Sequence, residues 1–323
     1  MKAHPSAALK LLLTFFLTFL SAPAAPALAP GDYEIYLTHQ NLRRSYLVHV
    51  PPQASGTRAV PVMLSFHGGG SNAEVMRTYT RMDLSADRDG YIVVYPNGSS
   101  GFQGRFLTWN AGNCCGPAVA LNVDDVGFSL AVLDDLAGRA RIDATRIYAT
   151  GLSNGAMMAY RLAAEASQRI AAVAGVAGAM SLQRFKPARP VPVLHIHSMQ
   201  DHIARFDGGF GLPTAIADLR AMHAPVEDML RKWLDHNGCP LKPAVLETTQ
   251  GAASTPDEPH SVIRRVHRPC REGVEVVLLQ LGGGVGHVWP GGVRDYNPQL
   301  LGTGTAVVDA NTEIWRFVSR YRR

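Results

Sequence analysis

The sequence predicts an α/β protein with a mostly parallel, eight-stranded sheet and helices on both of its faces. Short apolar runs rich in β-branched residues alternate with helical patterns from residue 30 onwards, and such alternation is typical of parallel sheets. Strands of a parallel sheet are buried on both faces, so they are apolar throughout rather than at every second position. With 46% hydrophobic residues, the chain can bury a full core.

The strands and helices follow in chain order from these patterns, and the strand count is eight, give or take one. Residues 33–37 and 45–50 are expected to form an opening antiparallel pair. Further strands are predicted over residues 60–66, 91–95, 146–150, 170–176, 191–197, 261–266 and 274–281. Apolar residues at helical spacing predict helices over residues 73–88, 126–137, 156–166, 226–234 and 314–321. Asp124 and Asp125 are expected to cap the second of these helices.

Residues 1–27 have the pattern of a secretory signal peptide. Lys2 and Lys10 form a basic segment, and small residues follow the apolar run 11–20. This run falls short of the ~20 residues that cross a bilayer, which argues against an uncleaved anchor. We expect cleavage after Ala27, since a cut two residues later would place Pro30 at the cleavage site. The expectation is a secreted protein, extracellular or periplasmic, with a single domain over residues 28–323 and no stable membrane association.

The charge of the chain limits its possible partners, and its cysteines indicate the cellular compartment. The formal net charge of +5 is spread without a long basic run, so no nucleic-acid partner is expected. Export makes disulfides possible. We expect Cys239 to pair with Cys270, because a predicted helix ends just before the first and two late strands flank the second. Cys114 and Cys115 are then a vicinal disulfide or two thiols, and export favours the disulfide.

The pattern Gly151-Leu152-Ser153-Asn154-Gly155 lies between a predicted strand and a predicted helix. This is the context of a nucleophile elbow, in which a sharp, strained turn exposes the serine hydroxyl above the sheet. Glycines on either side let the strand and the helix approach closely. The context predicts an α/β-hydrolase fold with Ser153 as nucleophile; the alternative is a tight glycine turn with an incidental serine.

A serine hydroxyl needs a general base at neutral pH, and in this fold the acid and then the histidine follow the serine along the chain. Asp201 comes directly after the strand 191–197 and is predicted to be the acid, with Asp207 and Asp218 as alternatives. The base is expected between the last strand and the last helix, where His287 follows a glycine-rich segment. The other late histidines, in a helix, a loop or a strand, are poorer candidates: His223, His236, His260 and His267.

The run His67-Gly68-Gly69-Gly70 follows the third predicted strand. Glycines there let backbone N–H groups approach a substrate carbonyl oxygen, so Gly69 and Asn154 are expected to form the oxyanion hole. Each such donor contributes about 3 kcal/mol of transition-state stabilisation. His195 and His197 alternate along a buried strand without a carboxylate or cysteine that would complete a metal site. We interpret them as core residues and expect no metal or other cofactor.

A long irregular segment, residues 96–121, follows the fourth strand at the edge where strand ends meet ligands. It is too long for a simple connection, so it is predicted to form one wall of the substrate pocket. Phe102, Phe106 and Trp109 are its large aromatic residues. Trp109 is predicted to contact the substrate; the alternative, that it anchors the loop to the core, stays open.

Beyond the serine turn, motifs along nearly all of residues 28–323 resemble one secreted esterase family. That family includes polyhydroxybutyrate depolymerases, feruloyl esterases and acetyl-xylan esterases. The matching motifs lie at residues 44–52, 66–69, 95–98, 109–116, 123–128, 148–162, 237–240 and 287–292. The resemblance implies the same triad, and it implies that Trp289 lies beside the site and binds substrate.

The resulting hypothesis is a secreted serine esterase. Its substrates would be feruloyl-type or acetyl-type esters of plant polysaccharide or small aryl esters, as small molecules or parts of a polymer. An extracellular depolymerase of polyhydroxybutyrate or another short-chain polyester is the alternative within the same chemistry. From another class, a non-catalytic binding protein on the same fold remains open.

Overall fold

A computed structural model describes residues 1, 28–56, 58–99, 105–212 and 221–323 of the chain. Residues 2–27 of the predicted signal peptide, Phe102 and Asp218 lie outside these residues. Within the described residues, no helix is long and apolar enough to cross a membrane.

The described residues form twelve strands. They are β1 (Gly31–His39), β2 (Leu42–Val50), β3 (Val60–Phe66), β4 (Ile92–Pro96), β5 (Ile142–Leu152), β6 (Ala172–Val176), β7 (Val193–Ser198), β8 (Gly209–Phe210), β9 (Met222–His223), β10 (Val245–Gln250), β11 (Ser261–His267) and β12 (Val276–Gly282). Ten of them make one sheet in the order β1-β2-β4-β3-β5-β6-β7-β12-β11-β10, and β8 pairs separately with β9. The six central strands, from β4 to β12, are parallel, and antiparallel strands extend both edges.

The sheet therefore has ten strands, where the sequence predicts eight, give or take one, from nine candidate segments. The strand without a predicted counterpart is β10, at the edge of the sheet. Five of its six residues are exposed, so the segment has no apolar run from which a strand could be inferred. Backbone hydrogen bonds to β11, rather than burial of its side chains, hold this segment in the sheet.

Helices cover both faces of the sheet, as predicted. The described helices are α1 (Ala73–Thr80), α2 (Met82–Asp89), α3 (Gly116–Ala120), α4 (Asp125–Arg139), α5 (Asn154–Glu165), α6 (Val226–Asn237), α7 (Pro298–Leu301) and α8 (Ala310–Val318). The helix predicted over residues 73–88 is two helices, because Arg81 between them has a left-handed backbone with φ 52°.

Two apolar cores lie on opposite faces of the sheet. Helices α4, α5 and α6 pack on one face, and helices α1, α2 and α8 pack on the other. Alternation along β3 shows the division, since Val62 and Leu64 belong to the first core and Met63 to the second. Apolar strands with no polar alternation are the sequence pattern that this double coverage requires.

Disulfides join two cysteine pairs. Cys239 follows α6 and is bonded to Cys270, which lies between β11 and β12, 31 residues further along the chain. In the chain-entropy model, closing a loop of this length contributes roughly 3–4 kcal/mol. The adjacent Cys114 and Cys115 form the second pair.

A cluster of charged side chains joins β1 and β2 to α1 and α2. Nδ1 of His49 lies 2.6 Å from Asp32, and Nε2 lies 2.8 Å from Asp87. Arg77 contacts both Asp32 and Asp83. Burial by itself would lower the pKa of His49, but the hydrogen bonds to Asp32 and Asp87 and the charge of Asp83 outweigh it and raise this pKa above its usual value.

Because the pKa of His49 is higher in the folded state, its protonation stabilises the fold. This contribution is fully present below the unfolded-state pKa of about 6.5 and is lost as the pH rises through the folded-state value. We expect His49→Gln to lower Tm more at about pH 6 than at about pH 9. Thermal unfolding followed by circular dichroism measures the difference, and an equal loss at both pH values would contradict the prediction.

Candidate active site

A sharp turn joins β5 to α5 and places Ser153 at its apex. The backbone of Ser153 has φ 58° and ψ −123°, a conformation that non-glycine residues rarely adopt. Its N–H donates to the carbonyl of Val176, 2.8 Å away. A Cβ on Gly155 would lie 2.2 Å from the carbonyl oxygen of Phe66, and one on Gly151 would lie 2.8 Å from it. Glycine is therefore required on both sides of the serine.

Asp201 and His287 come together on the turns that follow β7 and β12. Nδ1 of His287 lies 2.6 Å from Oδ2 of Asp201, and both side chains are buried. Oδ1 of Asp201 accepts from the backbone N–H groups of Ile203 and Ala204, each at 2.8 Å. Burial would raise the pKa of Asp201, but the charge of His287 and hydrogen bonds from His197 and His287 bring it well below its usual range. The carboxylate is ionised and accepts, so Nδ1 of His287 is the donor in this contact.

A cavity of ≈ 500 Å³ opens beside the turn, and Ser153 and His287 both line it. The loop after β3 lies against the serine, since a Cβ on Gly68 would be 3.6 Å from Cβ of Ser153. Gly69 and Asn154 also line the cavity. The N–H of Asn154 is the first of α5 and has no acceptor within that helix.

The rest of the cavity wall is mostly apolar. The loop after β4 contributes Phe106, Cys114 and Cys115, so the predicted segment does face the cavity, through Phe106 rather than Trp109. The other lining residues come mainly from α1 and from the segment around α7: Val75, Met76, Tyr79, Tyr296, Asn297, Leu300 and Leu301.

His223, a poorer candidate for the general base on sequence grounds, is a polar group of the cavity. It lies on the two-residue strand β9, lines the cavity and is half-buried. Burial and the neighbouring charge of His287 lower the pKa of His223 to about 4, so its imidazole is neutral at physiological pH. No local pattern marks this residue, because only the folded chain brings β9 to the cavity.

Trp109 is fully buried beneath its loop and does not line the cavity. Its Nε1–H donates to the carbonyl of His67 at 2.9 Å, and its ring packs edge-on against Phe66. The side chain of Asn154 accepts from the backbone N–H of Trp109 at 2.8 Å and donates to its carbonyl at 3.1 Å. This burial corrects the prediction that Trp109 contacts substrate, because the indole instead anchors the loop to the end of β3, while the backbone of Trp109 bonds to Asn154 of the serine turn.

Trp289 is also buried, which corrects its expected contact with substrate. Its backbone N–H donates to the hydroxyl of Tyr79 at 2.9 Å, and its Nε1–H donates to Asn311 at 3.1 Å. Tyr79 lines the cavity, so Trp289 supports that wall from behind. Among the alternative acids, Asp207 is exposed on the surface and Asp218 lies outside the described residues.

A buried ion pair fixes the base of the loop after β4. Nη2 of Arg44 lies 2.8 Å from Oδ1 of Asp125 and 3.0 Å from the carbonyl of Asn97. The backbone N–H of Asn110 donates to the other oxygen of Asp125 at 2.7 Å. Only Asp124 caps α4 with its side chain; Asp125 was expected to share that role but lies inside the core, bonded to Arg44.

Comparison with known proteins places this site in a family context. Residues 44–216 match the family described as Esterase PHB depolymerase. A putative esterase, NocK, from Nocardia uniformis subsp. tsuyamanensis is 33% identical over 80% of this chain and 74% of its own length. Feruloyl esterase B from Piromyces equi is 28% identical over 76% of this chain, which spans only 42% of that relative. The solved acetyl xylan esterase from Aspergillus awamori has the same fold, with a TM-score of 0.53 and 14% identity over 80% of this chain and 94% of its own.

The buried position of Trp109 gives a testable expectation. Trp109→Phe removes the indole N–H and leaves the carbonyl of His67 without this donor, so we expect a loss of about 1–3 kcal/mol in the free energy of unfolding. KM for aryl esters should change little, because the ring does not reach the cavity. Urea unfolding measures the stability, and steady-state kinetics measure KM. Normal stability with a raised KM would show that Trp109 contacts the substrate instead.

Proposed function

The chain belongs to the Esterase PHB depolymerase family of α/β-hydrolases and hydrolyses carboxylic esters; from that premise we propose that it is a secreted serine esterase with Ser153, His287 and Asp201 as its triad. The observation that carries the proposal is the 2.6 Å contact of Asp201 with His287, which lines the same cavity as Ser153. An imidazole held at Nδ1 by an ionised carboxylate presents Nε2 to accept the serine proton.

The proposed reaction has two steps that share one general base. Ser153 Oγ attacks the ester carbonyl carbon while His287 accepts its proton, and the N–H groups of Gly69 and Asn154 hold the oxyanion that develops. His287 then protonates the departing alcohol. In the second step His287 takes a proton from water, the resulting hydroxide attacks the acyl-enzyme, and the acid leaves as Ser153 regains its proton. None of these steps calls for a cofactor.

For the substrate we propose feruloyl-type or acetyl-type esters of plant polysaccharide, or small aryl esters. The apolar wall formed by Phe106, Tyr79 and Tyr296 suits a flat aromatic group, and a cavity of ≈ 500 Å³ is in the size range of small-molecule sites. The feruloyl esterase among the relatives supports the same class. The description of the family keeps polyester cleavage as the second candidate.

Export is supported by the signal pattern of residues 1–27 and by the disulfide of Cys239 with Cys270.

Replacement of the nucleophile tests the proposed mechanism directly. Ser153→Ala should lower kcat for p-nitrophenyl acetate by at least about 10³-fold, with an unchanged circular dichroism spectrum, since alanine meets the same backbone constraint as serine. Ser319→Ala, at an exposed serine after α8, is the matched control and should keep full activity. A folded Ser153→Ala enzyme that retains more than a few per cent of the activity would show that another group is the nucleophile.

Replacement of Phe106, an exposed residue of the cavity wall, tests the proposed substrate class. Phe106→Ala should raise KM for methyl ferulate about tenfold, the loss of roughly 1.4 kcal/mol of apolar contact, and change KM for p-nitrophenyl acetate much less. Leu84→Ala, an exposed apolar residue on α2 that does not line the cavity, is the control. Equal effects on both esters would show that Phe106 does not contact the substrate. Hydrolysis of hydroxybutyrate oligomers without hydrolysis of methyl ferulate would favour the polyester candidate.

A further inference from the structure

A line of buried side chains runs from α5 across β7 to the carboxylate of Asp201. The hydroxyl of Tyr160 lies 2.8 Å from Nδ1 of His195. Nε2 of His195 lies 2.9 Å from Nδ1 of His197. Nε2 of His197 lies 2.7 Å from the carbonyl oxygen of Ala204 and 3.3 Å from Oδ2 of Asp201. The four side chains are between 0% and 4% exposed, so water does not compete for these contacts.

The end of the line fixes its direction. The carbonyl oxygen of Ala204 only accepts hydrogen bonds, so a neutral His197 carries its proton on Nε2 and accepts at Nδ1. His195 must then donate from Nε2, which leaves its Nδ1 as an acceptor for the hydroxyl of Tyr160 at 2.8 Å; the carbonyl of Leu194, at 3.2 Å, is the other acceptor near this hydroxyl. Burial and the neighbouring His197 hold the pKa of His195 well below its usual value, in agreement with a neutral imidazole. The two imidazole donors therefore run in one direction along the line, and the last of them, Nε2–H of His197, lies between the carbonyl of Ala204 at 2.7 Å and Oδ2 of Asp201 at 3.3 Å.

The last donor reaches the oxygen that the proposed triad uses. Oδ1 of Asp201 is occupied by the N–H groups of Ile203 and Ala204. Oδ2 faces both His287 and His197, at 2.6 Å and 3.3 Å. The contact from His197 does two things at once: it fixes the rotation of the carboxylate, and it takes up part of the negative charge that would otherwise act on His287 alone.

We propose that His197, held in one tautomer by His195 and Tyr160, is a positioning residue that orients Asp201 towards His287 and limits the action of its charge on that imidazole. This inference rests on the proposed triad. It goes beyond the sequence interpretation, in which the two histidines only fill the core: their burial agrees with that interpretation, but their hydrogen bonds form a directed line to the acid.

The test compares two replacements of similar size at one position. His197→Leu removes the donor to Asp201, whereas the side-chain amide of His197→Gln can donate to Asp201 and Ala204 and accept from His195. In the leucine variant we expect kcat for p-nitrophenyl acetate to fall about tenfold, KM to change less than about twofold, and the pKa of His287 to rise. The rise follows because the carboxylate charge is no longer shared. The glutamine variant should recover both values.

The pKa of His287 is measured without a substrate, by NMR titration of the ¹⁵N-histidine-labelled protein with His287→Gln to assign its signal. Among the described residues lining the cavity, the other histidine is His223, whose pKa is lowered to about 4, so its titration does not obscure that of His287. If the wild type fails to hydrolyse esters, the proposed function falls, while the titration still decides the role of His197.

A matched control separates positioning from general loss of stability. His267 is also buried and contacts the carbonyl of Pro240 at 3.0 Å, away from the cavity lining, so His267→Leu should lower Tm and leave the titration of His287 unchanged. Should His197→Leu fail to fold, Tyr160→Phe removes the first donor of the line and should shift the pKa of His287 upwards by less. An unchanged titration in the folded leucine or phenylalanine variant, or equal impairment of the glutamine and leucine variants, would overturn the proposal.

Discussion

The contact between the end of β3 and the serine turn is the constraint on which the whole site depends. Backbone oxygens of Phe66 and His67 lie so close to Gly155 that an added Cβ would be 2.2 Å and 2.5 Å from them. This contact braces Ser153 in a conformation that costs a free residue roughly 1–3 kcal/mol. It also carries the glycine loop after β3, with Gly69, into the cavity. One packing contact therefore positions both the proposed nucleophile and the donors proposed to hold the oxyanion of the substrate.

The cavity wall is attached to the same turn. Asn154 directly follows the serine, and its side chain bonds to the backbone of Trp109 and to the carbonyl of Cys114. Trp109 in turn donates to the carbonyl of His67, so the wall, the turn and the loop after β3 are one hydrogen-bonded unit. Since Asn154 serves this unit with its side chain and the cavity with its backbone N–H, a disturbance of the wall would also reach the proposed oxyanion hole.

Sequence patterns predicted the elements that a continuous run of residues defines. They missed the features that depend on contacts between segments far apart in the chain. The central strands are uniformly apolar, and the family resemblance drawn from the motifs is confirmed by the match over residues 44–216. The edge strand β10 escaped because pairing with its neighbour, not apolar burial, orders it. Trp109 was ambiguous because an aromatic residue in an aperiodic loop has no sequence neighbour that shows which way it faces. The position of His223 at the cavity could not be inferred, because β9 meets the cavity only after folding.

The line from Tyr160 to Asp201 shows how a buried polar arrangement shapes the apolar residues around it. A Cβ on Gly175, in the middle of the buried strand β6, would lie 2.5 Å from the ring of Tyr160. A glycine within a strand destabilises it by roughly 0.5–1 kcal/mol relative to alanine; here it makes room for the ring whose hydroxyl reaches His195. An unpartnered polar group in this core would cost about 1–3 kcal/mol, more than the glycine does. Gly175 is unfavourable for a central strand by itself, and its presence is explained by the hydrogen bonds that run from Tyr160 towards Asp201.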